Sequence, residues 1–319
     1  MEKSFKHYTV MLNEAVDALK CENGKIYIDA TLGGGGHSEL ILKRIQPNGR
    51  LICFDVDQDA IDAASERLKD YKNVTIIHDS YTNIKKNLQK LGIDKITGGI
   101  LFDLGASYHQ LTEGSRGFSF RENAPLNMAF DAQQKFNAYD VVNTYSENDL
   151  VKIFSEYGEE KFSKRIAKSI VTQRKTKKIE TTLELADIIV KAVPKTKEKI
   201  HPATRVFQAI RIEVNQELRN IKNTLNEVVH LLDVGAIISV ISFHSLEDRI
   251  VKQFFKEYSK NCRCPINQPR CTCSGKEIEI LTKKPTVASE YEIWENPPSR
   301  SAKLRVGEKC ISGVEIDTN

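Results

Sequence analysis

The chain has 319 residues, 40% of them hydrophobic and 28% charged, with a formal net charge of +4. This suits a soluble enzyme of one large or two small domains, and no apolar run approaches the roughly 18 residues of a membrane span. The amino terminus lacks the apolar core of a signal peptide, and an odd count of seven cysteines argues for a reducing cytoplasm rather than a disulfide framework.

Residues 11–19 read as an opening helix, with Leu12, Ala15, Val16 and Leu19 on one face. The stretch from Ile26 to Asp29 reads as a short buried strand that runs into the glycine turn Gly33–Gly36 and His37. A helix carrying Leu40, Ile41 and Arg44 follows. A second strand, Arg50–Asp55, ends in an acid twenty-two residues after Gly33. Strand, glycine turn, helix, strand and acid is the layout of a nucleotide-type site at the open end of a parallel sheet. Further strands are expected at Val74–His78, Gly99–Asp103 and 236–243, each a near-continuous apolar run suited to burial on both faces. Helical patterns lie between them, at Ile61, Ala64 and Leu68 and again at Ile84, Leu88 and Leu91. This alternation predicts a doubly wound α/β sheet.

Between about residues 115 and 215 the alternation breaks. Helical stripes there include Leu150, Ile153 and Phe154; Phe162, Ile166 and Ile170; and Leu185, Ile188, Ile189 and Ala192. They predict an all-helical domain inserted after the fourth strand. The expected division is 1–114 and 216–319 for the sheet domain and 115–215 for the insertion. A long helix through Leu218, Ile221, Leu225, Val228 and Leu232 should end at Gly235. Ser245 to Asp248 matches a capping box. The segments 277–284 and 301–309 read as a closing hairpin at the sheet edge, their Lys and Arg content suiting an edge.

The glycines miss the dinucleotide spacing, because Ser38 stands where the last glycine would be, and this disfavours a nicotinamide oxidoreductase. Asp29 before the turn and Asp55 after it suit a cationic ligand with a ribose, such as S-adenosylmethionine. Asp29, Asp55 and Asp103 are expected to converge at the carboxyl strand ends, with Tyr81 on an adenine face. In Arg116-Gly-Phe118-Ser-Phe120-Arg121, rings that stack on extruded bases and cations that hold phosphates are mixed; packing under the insertion is the equal alternative. Lys161, Lys164, Arg165, Lys168, Arg174, Lys175, Lys177 and Lys178 place eight cations within eighteen residues. They read as an RNA-facing patch. His244, at a strand end, is a further candidate. Cys262, Cys264, Cys271 and Cys273 have the count for zinc, but the C-x-C spacing is tight and no metal is expected.

The runs 7–16, 27–38, 103–111, 116–121, 157–160, 201–215, 242–252 and 296–305 together resemble the bacterial 16S ribosomal RNA (cytosine-N4)-methyltransferases. The resemblance implies a Rossmann-like class I methyltransferase sheet with an inserted helical domain. It implies S-adenosylmethionine contacts at Gly35, Gly36, His37, Asp55, Tyr81, Asp103 and Gln110. Small-subunit ribosomal RNA, within a ribosomal particle, is the implied partner. The chain departs from the family pattern at Tyr108, Asn127, Ala129 and Pro298, on the expected RNA side.

The expected reaction is methyl transfer to the exocyclic amine of an extruded cytosine. An acceptor on the N–H, either Asp103 or a backbone carbonyl after it, would raise the electron density of a poorly nucleophilic nitrogen. The rival is a non-catalytic RNA-binding assembly factor on the same fold.

Overall fold

The computed structural model describes residues 9–105, 116–194, 200–264 and 275–310. The chain forms two compact units, residues 1–105 with 218–319 and residues 106–217. In the first, five parallel strands are β1 (Ile26–Asp29), β2 (Arg50–Asp55), β3 (Val74–His78), β4 (Gly99–Asp103) and β5 (Ile237–Ser242). Three antiparallel strands follow: β6 (Ile278–Ile280), β7 (Thr286–Val287) and β8 (Lys303–Lys309). The order across the sheet is β3-β2-β1-β4-β5-β8-β6, with β7 also on β8.

Among the described residues the helices are, in chain order, α1 (Leu12–Ala18), α2 (Gly36–Ile45), α3 (Gln58–Leu68), α4 (Ile84–Lys90), α5 (Ala138–Thr144), α6 (Glu147–Glu156), α7 (Ser163–Thr176), α8 (Thr182–Ala192), α9 (Ala203–Asn215), α10 (Glu217–Val228), α11 (Ser245–Tyr258) and α12 (Glu290–Glu295). Among the described residues, no helix is long and apolar enough to cross a membrane.

Side chains alternate across the strands, so each central strand feeds two cores. Ile28, Ile52, Phe54, Ile100, Phe102, Ile238 and Val240 pack against α4, α10 and α11. Tyr27, Leu51, Cys53, Leu101, Ile237 and Ile241 face α1, α2 and α3. Each such side chain contributes about 1.5–3 kcal/mol when fully buried. The expectation of two buried faces fails at β3. It is an edge strand, and its apolar residues are only half-buried because no strand among the described residues pairs beyond it.

Three other expectations are corrected. The helix expected to reach Gly235 stops at Val228, and Gly235, with φ +84°, serves the turn into β5. The capping box of α11 is shifted by one residue. His244 is the N-cap, and Glu247 returns its carboxylate to the His244 N–H. The last segments are not an edge hairpin, because β8 lies between β5 and β6 and α12 intervenes between β6 and β8. Two of its cations are buried in pairs rather than solvated: Arg305 Nε donates to Asp248 Oδ1 at 2.6 Å, and Lys309 Nζ to Glu277 Oε2 at 2.7 Å.

The second unit packs α5–α9 around Leu150, Ile153, Phe154, Ile166, Ile170, Leu185, Ile189, Phe207 and Ile210. Capping boxes start α5 (Asn137 with Asp140) and α8 (Thr181 with Glu184). α5 is a helix that the apolar pattern did not mark, being only seven residues long.

Candidate active site

β1 is flanked by β2 on one side and β4 on the other, so the strand order reverses between β1 and β4. Ligands of open α/β sheets bind outside the carboxyl ends at such a point. The turn after β1 is fixed from both neighbours: Ala30 N donates to Leu101 O and Leu32 N to Phe54 O, each at 2.9 Å. Gly35 has φ +76° and precedes the first residue of α2. A Cβ there would lie 3.2 Å from Ala64 Cβ, and one on Gly36 would strike the Thr9 side chain. The glycines are therefore needed for close packing of the protein itself, beyond any approach to a ligand.

The three acids do not converge as equals. Asp29 is fully buried beneath the turn, where Ser38 Oγ donates to Oδ2 at 2.7 Å and Thr31 N to Oδ1 at 3.2 Å. Burial raises its pKa to about 6, against these hydrogen bonds. Asp29 lies close enough to Asp55 and Asp103 to interact electrostatically with both, as expected, while its own oxygens are taken up by the loop.

Asp55 ends β2 and accepts Gly33 N at 2.8 Å and Asp57 N at 2.9 Å, one on each carboxylate oxygen. Burial raises its pKa, opposed by these bonds. Each oxygen keeps a further lone pair for a hydroxyl donor. Asp103 ends β4, and its N–H donates to Thr31 Oγ1 at 2.7 Å. Its side chain remains 24% exposed, yet Oδ1 is out of solvent with no hydrogen-bond partner among the described residues. Burial first, then the carboxylates of Asp29, Glu247 and Glu292, push its pKa well above the usual range.

His37, in the first turn of α2, is buried. Its Nε2 lies 3.1 Å from Val10 O and its Nδ1 3.8 Å from Asp103 Oδ2. Tyr81, in a short 3-10 turn after β3, is half-buried and meets Phe102 edge-on, with ring centroids 5.9 Å apart. Gln110, Tyr108, Cys271 and Cys273 lie outside the described residues. Sequence reasoning missed Glu247 as a site residue. It is fully buried, accepts Phe243 N at 2.8 Å, and adds to the charge around Asp103. A glutamate three residues after a strand-end histidine was the available signal.

In the helical unit the aromatic-basic loop is mostly engaged in its own fold. Arg116 donates to Ala129 O at 3.1 Å and Phe130 O at 2.6 Å. Phe118 is buried and stacks on Phe130 at 5.7 Å, so the packing alternative holds for that ring. Phe120 stays half-buried, stacked on His201 at 4.6 Å with Phe207 edge-on at 5.2 Å. Arg121 is exposed. Asn127 Oδ1 accepts Ala129 N at 2.9 Å, which gives that departure from the family pattern a local structural role.

The expected patch of eight cations divides. Arg174 donates to the carbonyls of Val142 and Tyr145, Lys177 pairs with Glu184 at 2.6 Å, and Lys178 reaches Asn143 O at 3.5 Å. Lys164, Arg165 and Lys168 are exposed on α7.

The MraW methylase family matches this chain over residues 4–310. The chain belongs to that family. The ribosomal RNA small subunit methyltransferase H of Clostridioides difficile is 50% identical over 309 residues, which cover 96% of this chain and 99% of that protein. The protein of the same name from Clostridium botulinum is 52% identical, with the same 96% and 99% coverage. That of Caldicellulosiruptor bescii is 52% identical over 306 residues, again 96% and 99%. This member of the MraW methylase family is an S-adenosylmethionine-dependent methyltransferase, with a largely parallel α/β sheet and a helical unit inserted in sequence after β4.

Proposed function

We propose that the chain transfers a methyl group from S-adenosylmethionine to the N4 amine of a cytidine in small-subunit ribosomal RNA. The observation that carries this reading is Asp103 at the switch point, with a buried carboxylate oxygen that lacks a partner among the described residues. A buried acceptor in that state calls for a donor. The exocyclic amine of cytosine offers one.

The methyl donor supplies an electrophilic carbon on a sulfonium, which departs as a neutral thioether with the electron pair of the broken C–S bond. Asp103 accepts the N4–H, raises the electron density of the attacking nitrogen as the N–C bond forms, and takes the proton that the nitrogen loses. Its raised affinity for protons suits the last step. Most of the rate comes from holding N4 in line with the C–S bond.

Asp55 is assigned to the ribose hydroxyls, Tyr81 to the adenine, and Gly35, Gly36, His37 and Gln110 to the remainder of the donor. On the RNA side, Lys164, Arg165 and Lys168 contact phosphates, and Phe120 with Arg121 contacts nucleotides of the same RNA. Arg116 and Phe118 act through the shape of that loop. The substrate is an assembled particle in the cytoplasm, because a structured target presents one cytidine in a fixed setting. Supplying labelled donor with undermethylated small subunits, or with naked RNA, tests this. Faster labelling of the particle supports it, and equal rates refute the particle assignment.

A further inference from the structure

We infer that Glu292 is a positioning residue for the methyl-donor site, acting through the backbone of Thr9–Met11 on His37 and Gly36. The inference rests on the donor-site assignment above. Glu292 lies on α12, whose start is fixed by Ser289 Oγ accepting Glu292 N at 3.1 Å. β7 before it and β8 after it pair with one another, and β8 pairs with β5 through Ser242 at its carboxyl end. The α12 segment is thereby held at the same end of the sheet as Asp103, which pairs with Ile241 of β5.

From there Glu292 Oε1 accepts the N–H of Met11 at 2.7 Å, across 281 positions of sequence. Met11 is fully buried and has φ +48° and ψ +41°. A side chain other than glycine rarely adopts this left-handed conformation, and it persists where its surroundings over-determine it. The residues on its amino side are applied to the site. The carbonyl of Val10 lies 3.1 Å from His37 Nε2, and the Thr9 side chain fills the space beside Gly36. A carbonyl only accepts, so Nε2 carries the hydrogen and donates to it. That orients the ring and leaves Nδ1 toward Asp103 Oδ2 at 3.8 Å. Outer-shell partners of metal ligands change affinity about 10–100-fold when lost, and the lower end of that range is the effect expected of a partner one step removed from this site.

The test uses the full chain and three variants. Donor affinity is read by calorimetry with S-adenosylhomocysteine, and turnover with undermethylated small subunits. Glu292→Ala should weaken affinity and raise the donor KM about tenfold. Glu292→Gln keeps an acceptor at the same reach and should bind as wild type. Glu292→Asp keeps the charge but is one methylene shorter, and should resemble the alanine variant. Unchanged affinity in Glu292→Ala overturns the inference, as does rescue by Asp but not by Gln. If the alanine variant does not fold, the Gln and Asp pair decides alone. Wild-type protein without donor affinity sinks the donor-site reading together with this inference. Equal affinity in wild type and Glu292→Ala sinks this inference alone.

Discussion

The two units treat charge in opposite ways. At the carboxyl end of the sheet, Asp29, Asp55 and Asp103 are drawn inward, and burial raises the pKa of all three. On α7 of the helical unit, Lys164, Arg165 and Lys168 stay in solvent. Buried charges are weakly screened and fixed in place, so they select one ligand in one geometry. Exposed charges act through a screened field that any polyanion feels. On the proposed reading the first behaviour serves a small cationic donor and the second a large RNA, and the two lie apart in sequence.

The sharpest way to break this contrast is at Asp103. Replacing it with Ala should slow single-turnover transfer by about a hundredfold or more, the range of a lost general base. RNA binding should not change. A variant that transfers at the wild-type rate would leave the backbone after β4 as the acceptor.

The next largest effect concerns Asp29. Its folded pKa of about 6 lies above the ordinary 3.8. The folded state therefore holds this proton more tightly than the unfolded one. The resulting stability is complete below about pH 4 and lost as pH rises through about 6, at most about 3 kcal/mol. Asp29→Asn removes the titration, so its melting temperature should gain on wild type from pH 4 to pH 7. A constant difference across that range would show that Asp29 is not a buried proton-binding group.

Asp55→Ala should lower donor affinity roughly tenfold or more, as expected for a hydrogen bond to a charged group. Calorimetry checks it, and unchanged affinity would remove Asp55 from the donor site. The smallest effect per residue belongs to the exposed face. Neutralising Lys164, Arg165 and Lys168 together should reduce the slope of log affinity against log salt by about 2 for single-stranded contacts, with donor affinity intact. An unchanged slope would make α7 a solvated surface and nothing more.

What could be read from sequence follows the same division. The five parallel strands and the glycine turn were legible because burial on both faces writes continuous apolar runs, and β1, β2 and β4 bear this out. Edge position is a property of the whole sheet, so neither the half-burial of β3 nor the place of β8 inside the sheet edge was legible. Acids at strand ends were visible, but not which would be covered. Both Asp29 and Asp55 accept loop amides, but only Asp29 also meets the Ser38 hydroxyl, and that is decided in three dimensions. The bond from Glu292 to Met11 spans nearly the whole chain and leaves no local pattern. Arg174 looked like its exposed neighbours, because a cation held by helix-end carbonyls and a solvated one are the same letter.

The most direct test of the proposed chemistry is a labelling experiment. Purified protein is incubated with labelled S-adenosylmethionine and undermethylated small subunits, and the RNA is digested for mass spectrometry of nucleosides. The expected result is label in N4-methylcytidine, lost with Asp103→Ala. Label at cytosine C5, at a ribose 2′-oxygen or only on protein would contradict the N4 assignment, and so would a donor-bound protein that labels nothing.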